Sequence, residues 1–345
     1  MSGFCKLNKH PSVEYRCVSQ EEGTRECNEL EPPGTIVQPI CRSPHYYNHG
    51  VLGPMTCIDG HWNHVAICTP ECGRVASEGG LNNVQLQGHW RGDLPWHASI
   101  YRKTTTPFQQ ICEGTLISTT VVISAAHCFW TEMKKLQPAD NYAVAVGNLY
   151  RPWNEPRDLH AQKSDVEDIK IPLRFQGAIT NFQEDIAILR LTQAFQYNSY
   201  VRPVCLDFDV NFDSTQLKSG KSGQVATWNR LGSNKLEYPA LKVVELLYMD
   251  IDECLANIPP SFREYITSDK ICAGHGNGTD PALCRGDGGG GLVFPDTERG
   301  IERFYLRGIM SVAPINDNSG CSTLSGFTQI LKHEIFIKEH ALGVI

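Results

Sequence analysis

The sequence of 345 residues predicts an all-β protein, and three observations support that prediction. Short apolar runs bounded by turn residues recur along the chain, a pattern typical of antiparallel barrels or sandwiches. These runs do not alternate with amphipathic helical segments, which disfavours a parallel α/β sheet. The chain also contains 14 cysteines, seven of them within the first 72 residues, which favours a disulfide framework at its start.

Composition and charge exclude several functional classes. The chain is 41% apolar and 20% charged, which is typical of a globular protein rather than a disordered or fibrous one. The net charge is -7 and basic residues form no block, so nucleic acid is not expected as a partner. No apolar run approaches the ~18 residues of a membrane span. No cofactor is expected either.

The cysteine count indicates an oxidising compartment, so we expect a secreted, extracellular protein. Zinc is the alternative, but the pair Cys68 and Cys72 has no second knuckle to complete a site, and no metal is expected. The segment Met1–Cys5 lacks the apolar region of a signal peptide. We therefore expect a mature, trimmed or incomplete form of a secreted chain.

The first segment, residues 1–70, is rich in turn residues and has few apolar ones. Strand-like pieces occur at Ser12–Arg16 and Gly34–Gln38. Such a segment cannot build a large core, so disulfides are expected to stabilise it. Residues 71–82, including Cys72, are predicted to be a linker, and residues 83–345 a second domain.

Strand-like runs continue through the second domain. Only one stretch, Ile330–Leu342, is predicted to be helical. The predicted strands are His97–Tyr101, Gly114–Ile117, Thr120–Ser124, Ala143–Gly147, Ile186–Leu191 and Ala240–Leu247.

Acyl-transfer chemistry needs a nucleophile, a base, a carboxylate that orients the base, and donors for the oxyanion. In chain order the sequence has His127 in Ser-Ala-Ala-His-Cys, then Asp185 in Glu-Asp-Ile-Ala-Ile-Leu, then a Gly-Asp-Gly-Gly-Gly-Gly loop over 286–291. This order resembles the chymotrypsin-like (S1) serine protease family. Five further motifs agree with it, and the resemblance covers residues 83–345. They are Gly92–Trp96, Cys112–Ile117, Val201–Leu206, Thr227–Trp228 and Gly308–Ser311.

The resemblance implies two six-stranded antiparallel β-barrels with the active cleft between them and a helix at the C-terminus. It also implies three disulfides in the second domain, which leaves one odd cysteine there and one in the first segment; parity then pairs these two, tethering the first module to the protease-like domain. The three implied bonds are Cys112–Cys128, Cys254–Cys272 and Cys284–Cys321, and the fourth is Cys72–Cys205.

The end of the first segment resembles a sushi (complement control protein) module. The run Cys57-Ile-Asp-Gly-His-Trp62, closed by Cys68, carries that resemblance. The pairing favoured with it is Cys5–Cys57, Cys41–Cys68 and Cys17–Cys27. Six cysteines allow many pairings, and Cys5–Cys17 with Cys27–Cys57 remains an alternative.

The chain departs from the family at the position of the nucleophilic serine, which is Gly288. Glycine has no side chain, so an acyl-enzyme cannot form there, although His127 and Asp185 are retained. The backbone N–H groups of Gly286 and Gly288 are the expected oxyanion donors. The chain as written is therefore predicted to be inactive as a protease.

The activation and pocket positions differ as well. In the family, a new N-terminal amine pairs with the aspartate that matches Asp287. Here the corresponding segment 83–86 reads Asn-Val-Gln-Leu with no basic residue just before it, so Asp287 is expected to lack that partner, whether or not a cut after Leu81 occurs. The specificity-pocket residues are predicted to be Ala282, Ser311 and Ala313, which favour an apolar ligand. Asn277 begins a glycosylation sequon.

A sushi-like module before a protease-like domain resembles the C-terminal half of insect modular serine proteases, which implies a role in Toll or melanisation-type immune cascades. The first hypothesis is a non-catalytic regulator or scaffold that binds extracellular proteins: cascade proteases, their substrates, recognition proteins or serpins. The second is an active initiating endopeptidase in which Gly288 is an engineered or erroneous residue. The third is an adhesive module that acts through the sushi-like segment.

Overall fold

The computed structural model describes residues 3–19, 23–48, 52–75, 94–228, 240–275, 283–284, 286–314 and 321–341. The chain divides into two compact units, residues 1–71 and 72–345, which are described separately. Cys72, placed in the linker by the sequence, belongs to the second unit. Several positions named above lie outside the described residues: the linker from residue 76 onwards, the segment 83–86, Asn277 and Ala282.

The first unit is built on a five-stranded antiparallel sheet with the order β3-β2-β5-β7-β8. Alternation along β2 turns Val13, Tyr15 and Cys17 into the small core, where they pack with Val37 and Met55. The strands of this unit are β1 (Cys5–Lys6), β2 (Val13–Ser19), β3 (Gly23–Glu26), β4 (Leu30–Glu31), β5 (Ile36–Cys41), β6 (Tyr46–Tyr47), β7 (Met55–Ile58), β8 (His61–Trp62) and β9 (Thr69–Pro70).

Three disulfides hold this unit together: Cys5–Cys57, Cys17–Cys27 and Cys41–Cys68. The structure thus contains the pairing that the sequence favours rather than its alternative. The likeness of this unit to a sushi module stays a prediction.

The second unit begins with a closed six-stranded barrel of order β10-β11-β12-β17-β16-β15. Its core is made by strands that are apolar on most positions, such as Val121–Ser124, all four of whose residues are buried. The strands are β10 (His97–Arg102), β11 (Gln109–Leu116), β12 (Val121–Ser124), β13 (Trp130–Thr131), β14 (Lys135–Leu136), β15 (Tyr142–Val146), β16 (Gln162–Lys170) and β17 (Ala187–Leu191), of which β13 and β14 form a separate hairpin.

A second closed barrel follows, with the order β18-β19-β20-β25-β23-β22. The two closed barrels confirm the predicted fold class. The elements are α1 (Val210–Gln216), β18 (Ser222–Thr227), β19 (Lys242–Met249), α2 (Ile251–Asn257), β20 (Lys270–Gly274), β21 (Leu283–Cys284), β22 (Gly291–Glu298), β23 (Ile301–Val312), β24 (Cys321–Ser322), β25 (Leu324–Gln329) and α3 (Glu334–His340).

The predicted C-terminal helix forms a 3-10 turn over Ile330–His333 that continues into α3, and it is anchored by buried Ile330 and Ile337. The expectation of a single helix is wrong, because α1 and α2 also form. Asp209 starts α1 by accepting a hydrogen bond from the N–H of Phe212 at 2.7 Å. Among the described residues, every helix is too short or too polar to cross a bilayer.

Disulfides also fix the second unit: Cys72–Cys205, Cys112–Cys128 and Cys254–Cys272. Cys284 lies opposite Cys321 in the register of β21 and β24. Next to Cys72, the N–H of Gly73 donates to Pro203 at 2.7 Å, and the Gly73 carbonyl accepts from Phe304 at 2.9 Å. Gly73 has φ +64°, a conformation that glycine adopts without steric cost.

Candidate active site

His127 and Asp185 meet because their strands pair. β12 and β17 are antiparallel neighbours with Ser124 opposite Ala187, so the residues after β12 and before β17 lie at the same end of the ladder. His127 is in the 3-10 turn Ala126–Cys128. Its Nδ1 lies 2.7 Å from Asp185 Oδ2, and its backbone N–H donates to Asp185 Oδ1 at 2.8 Å. Two hydrogen bonds therefore join the two predicted residues.

Asp185 is fully buried and accepts hydrogen bonds from both barrels. Ser311 Oγ, from β23, donates to Asp185 Oδ2 at 2.6 Å. Burial opposes the carboxylate charge, but the charge and hydrogen bond of His127, together with Ser311, outweigh burial and hold the pKa of Asp185 below its ordinary value. Asp185 thus stays ionised and orients the imidazole.

The pKa of His127 is raised above its ordinary value. Burial acts against the imidazolium, but the negative charge of Asp185 and its hydrogen bond more than compensate. The Nδ1 proton is assigned to this hydrogen bond, which leaves Nε2 to face the other side of the cleft. The pair is arranged as a base that could accept a proton at Nε2.

The position predicted for the nucleophile faces that nitrogen. A Cβ built on Gly288 would lie 2.6 Å from His127 Nε2 and 3.0 Å from Cε1. Real Cβ atoms do not approach other atoms that closely, so the imidazole occupies space that a side chain at 288 would need. Base and carboxylate are in place, and residue 288 brings no nucleophilic atom to them.

The glycine loop after residue 285 follows the wall of the first barrel. Its backbone is fixed by hydrogen bonds from Glu113 N–H to the Gly288 carbonyl at 2.8 Å and from Gly289 N–H to Met310 at 2.9 Å. Within the described part of the chain, the N–H groups of Gly286 and Gly288 have no recorded acceptor.

Asp287, the predicted latch residue, is buried and accepts a hydrogen bond from Thr227 Oγ1 at 2.6 Å. Beside it lies Glu113, a fully buried carboxyl group. Burial, together with the negative charge of Asp287, raises the pKa of Glu113 well above its ordinary value. His97 Nε2 lies 3.7 Å from Glu113 Oε2, and burial lowers the pKa of His97 to about 3.

A buried charge cluster, which was not predicted from the sequence, holds the loop before Asp185. Lys270 Nζ donates to the Phe182 carbonyl at 2.8 Å, and Asp269 accepts from Glu184 N–H at 2.9 Å. Lys270 and Asp269 also pair with each other at 3.2 Å. Burial would raise the pKa of Asp269, but His333 and Lys270 hold it far below its ordinary value.

That cluster fixes an unusual backbone. Asn181, Phe182 and Glu184 all have positive φ, which is unfavourable for these residues, and the hydrogen bonds of Lys270 and Asp269 compensate. The ring of Phe182 thereby stands edge-on to His127, with centroids 6.2 Å apart. No motif indicates this network, because Lys270 and Asp269 are more than eighty residues away in the chain from the loop that they hold.

The remaining predicted residues have simpler positions. Ser311, predicted as a pocket wall, directs its hydroxyl to Asp185. Ala313 packs against the core of the second barrel.

Metal binding does not fit a cysteine- and histidine-containing cluster that the described residues form at the site. The ligand atoms of Cys112, His127 and Cys128 lie within 4.8 Å of one another. The two sulfurs are joined in a disulfide, however, and a metal requires thiolates.

Comparison with known proteins agrees with this architecture. Modular serine protease of Drosophila melanogaster is 28% identical over 332 residues, covering 90% of this chain and 49% of that protein. Clotting factor C of Tachypleus tridentatus is 28% identical over 304 residues, covering 84% of this chain and 28% of that protein. Melanization protease 1 of Drosophila melanogaster is 31% identical over 234 residues, covering 64% of this chain and 56% of that protein. The chain thus spans about half of these relatives or less.

The trypsin family profile matches residues 84–332, which is more than half of the chain and includes both barrels and the His127–Asp185 pair. The chain belongs to the trypsin family.

Proposed function

We propose that this protein is a non-catalytic trypsin-family homologue that binds polypeptides in its cleft and regulates an extracellular protease cascade. The observation that carries the proposal is Gly288, which faces His127 Nε2 without a side chain. Removing the serine of a triad lowers kcat about 10⁶-fold in a well-studied protease. An enzyme without that group is a poor protease even when base and carboxylate are in place.

The cleft is otherwise suited to binding. The N–H groups of Gly286 and Gly288 have no recorded acceptor among the described residues, and such donors can bind a polypeptide carbonyl. The loop that carries Phe182 is fixed by Lys270 and Asp269 rather than left to adjust on binding. A rigid surface loses little entropy when a partner binds.

Six disulfides among the described cysteines support a secreted protein. The names of two relatives refer to clotting and melanization. We place this chain in a cascade of that type, with cascade proteases, their substrates, recognition proteins or serpins as partners.

The test compares three secreted forms: the natural sequence, Gly288→Ser, and Gly288→Ser with His127→Ala as the matched control. Each is treated with a fluorophosphonate probe and with a fluorogenic peptide library. The natural sequence should give no covalent adduct and no cleavage, yet bind library peptides in an anisotropy assay. A covalent adduct on the natural sequence, or no peptide binding at all, would overturn the proposal.

A second candidate is an active endopeptidase whose native residue 288 is serine. The fully bonded His127–Asp185 pair favours it, because a protein without catalytic function has no need to retain both residues. A serine codon at position 288 in an independent transcript, together with cleavage by Gly288→Ser but not by the His127→Ala control, would select this candidate.

A further inference from the structure

Arg151 lies beside the glycine loop of the cleft. Its Nε donates to Gln110 Oε1 at 2.8 Å, and Gln110 Nε2 donates to the Gly286 carbonyl at 3.2 Å. A Cβ built on Gly286 would lie 2.9 Å from Arg151 Nη2. The guanidinium therefore occupies the space next to Gly286, two residues along the chain from Gly288.

The charge of Arg151 is not neutralised by the residues that the structure describes. None of their carboxylates forms an ion pair with it, and no acceptor is recorded for Nη1 or Nη2. A guanidinium has five N–H donors, so the edge that binds carboxylates in a bidentate manner remains free. A buried acid of the same wall, Glu113, has its pKa raised by burial, which disfavours its charged form. This half-buried cation stands in a chain of net charge -7.

Three hydrogen bonds fix the backbone around Arg151. Tyr101 Oη donates to the Arg151 carbonyl at 2.7 Å, and the N–H of Tyr150 donates to Asp158 Oδ2 at 3.0 Å. Trp228 Nε1, from the second barrel, donates to the Leu149 carbonyl at 3.2 Å. With Nε also bound to Gln110, the guanidinium plane is preorganised, so a ligand does not have to order it.

We propose that Arg151 binds a carboxylate of the polypeptide held in the cleft, so that partners with an aspartate or glutamate there are preferred. The proposal rests on the proposed function, since it specifies the polypeptide that the cleft selects. The Cα atoms of Gly286 and Gly288 are at most about 7.6 Å apart, and an extended chain advances about 3.3 Å per residue. The acidic residue therefore lies within about three positions of the one that faces His127.

The test uses fluorescein-labelled octapeptides in which a single position is scanned with aspartate or asparagine. Dissociation constants are measured by anisotropy for the natural protein, Arg151→Gln, Arg151→Lys and Arg299→Gln. Arg299 is the matched control, because its side chain is 90% exposed at a hairpin turn and its replacement removes the same charge.

At one position the aspartate peptide should bind the natural protein about tenfold more tightly than its asparagine counterpart, as for a charge-assisted hydrogen bond. Arg151→Gln should abolish this ratio, Arg151→Lys should keep part of it, and Arg299→Gln should leave it intact. A ratio of affinities that survives Arg151→Gln contradicts the inference. So does an equal loss of affinity for the aspartate and asparagine peptides, because it would mean that Arg151 only supports Gln110.

Binding of the asparagine peptides separates this inference from the proposed function. If they bind and the ratio is absent, the inference is wrong and cleft binding stands. If neither set binds the natural protein, the proposed function fails and the inference fails with it.

Discussion

Gly288→Ala would test whether the imidazole of His127 fills the space of the missing side chain. The new Cβ would lie 2.6 Å from His127 Nε2, so the ring must move by about 0.8 Å to reach an ordinary contact near 3.4 Å. The ring cannot move freely, because Nδ1 and the backbone N–H are both bonded to the buried Asp185.

Overpacking of this kind costs about 1–3 kcal/mol. Replacing glycine by alanine returns about 0.4–1 kcal/mol by restricting the unfolded chain, because Gly288 does not have a positive φ. We therefore expect Gly288→Ala to lower the free energy of unfolding by about 1–2 kcal/mol. Urea unfolding with the disulfides intact, followed by tryptophan fluorescence, measures this difference.

A double-mutant cycle isolates the cause. In a His127→Ala background the imidazole is absent, so Gly288→Ala should no longer destabilise the protein, and the coupling between the two changes should reach about 1 kcal/mol or more. Equal effects of Gly288→Ala in both backgrounds, or stabilisation in the natural background, would refute the reasoning.

Three further changes have expected outcomes. Glu113→Gln should flatten the pH dependence of stability. The folded protein holds the Glu113 proton more tightly than the unfolded chain, which releases it above pH ~4.5, so the natural protein loses stability, by up to about 1.4 kcal/mol per pH unit, as the pH rises from there towards the folded pKa; urea unfolding at successive pH values measures this. Gly73→Ala should cost about 2–3 kcal/mol in the same assay, because its Cβ would lie 2.5 Å from the Phe304 carbonyl oxygen at a positive φ. Lys270→Met should raise the pKa of His127 in an NMR titration, because the charge of Lys270 lowers it.

Each change has a matched control. Glu245→Gln alters an exposed carboxyl and should leave the slope unchanged; identical slopes for Glu113→Gln and the natural protein would contradict the raised pKa of Glu113. Gly220 also has a positive φ but has open space around it, so Gly220→Ala should lower the free energy of unfolding by only about 1 kcal/mol. An equal cost for Gly73→Ala and Gly220→Ala would contradict a steric effect of Phe304. Lys338→Met lies on exposed helix surface and should not move the His127 titration.

The barrel strands that the sequence predicted are mostly apolar. The predicted strands Thr120–Ser124 and Ile186–Leu191 correspond to β12 (Val121–Ser124) and β17 (Ala187–Leu191). Gln162–Lys170 was not predicted because most of its residues are polar or charged, and only its inward positions, such as Val166 and Ile169, are apolar. Alternation that is this sparse is decided by the neighbouring strands rather than by local preference.

The site divides in the same way. His127, Asp185 and Gly288 could be predicted because each stands in a motif of adjacent residues and the motifs occur in a recognisable order. Glu113, Arg151 and Lys270 could not, because their roles depend on partners that only the folded chain brings near. A buried carboxyl group and a solvated one look alike in a sequence, and burial decides the difference.

The Cys72–Cys205 bond has a consequence for any proteolytic nick between residues 76 and 93. The two fragments would remain one covalent species, so electrophoresis would resolve them only after reduction, and the N-terminal fragment could not diffuse away. Mass spectrometry of such a sample would find one water molecule added and no loss of chain. A nicked form of this protein would therefore be purified together with the intact form.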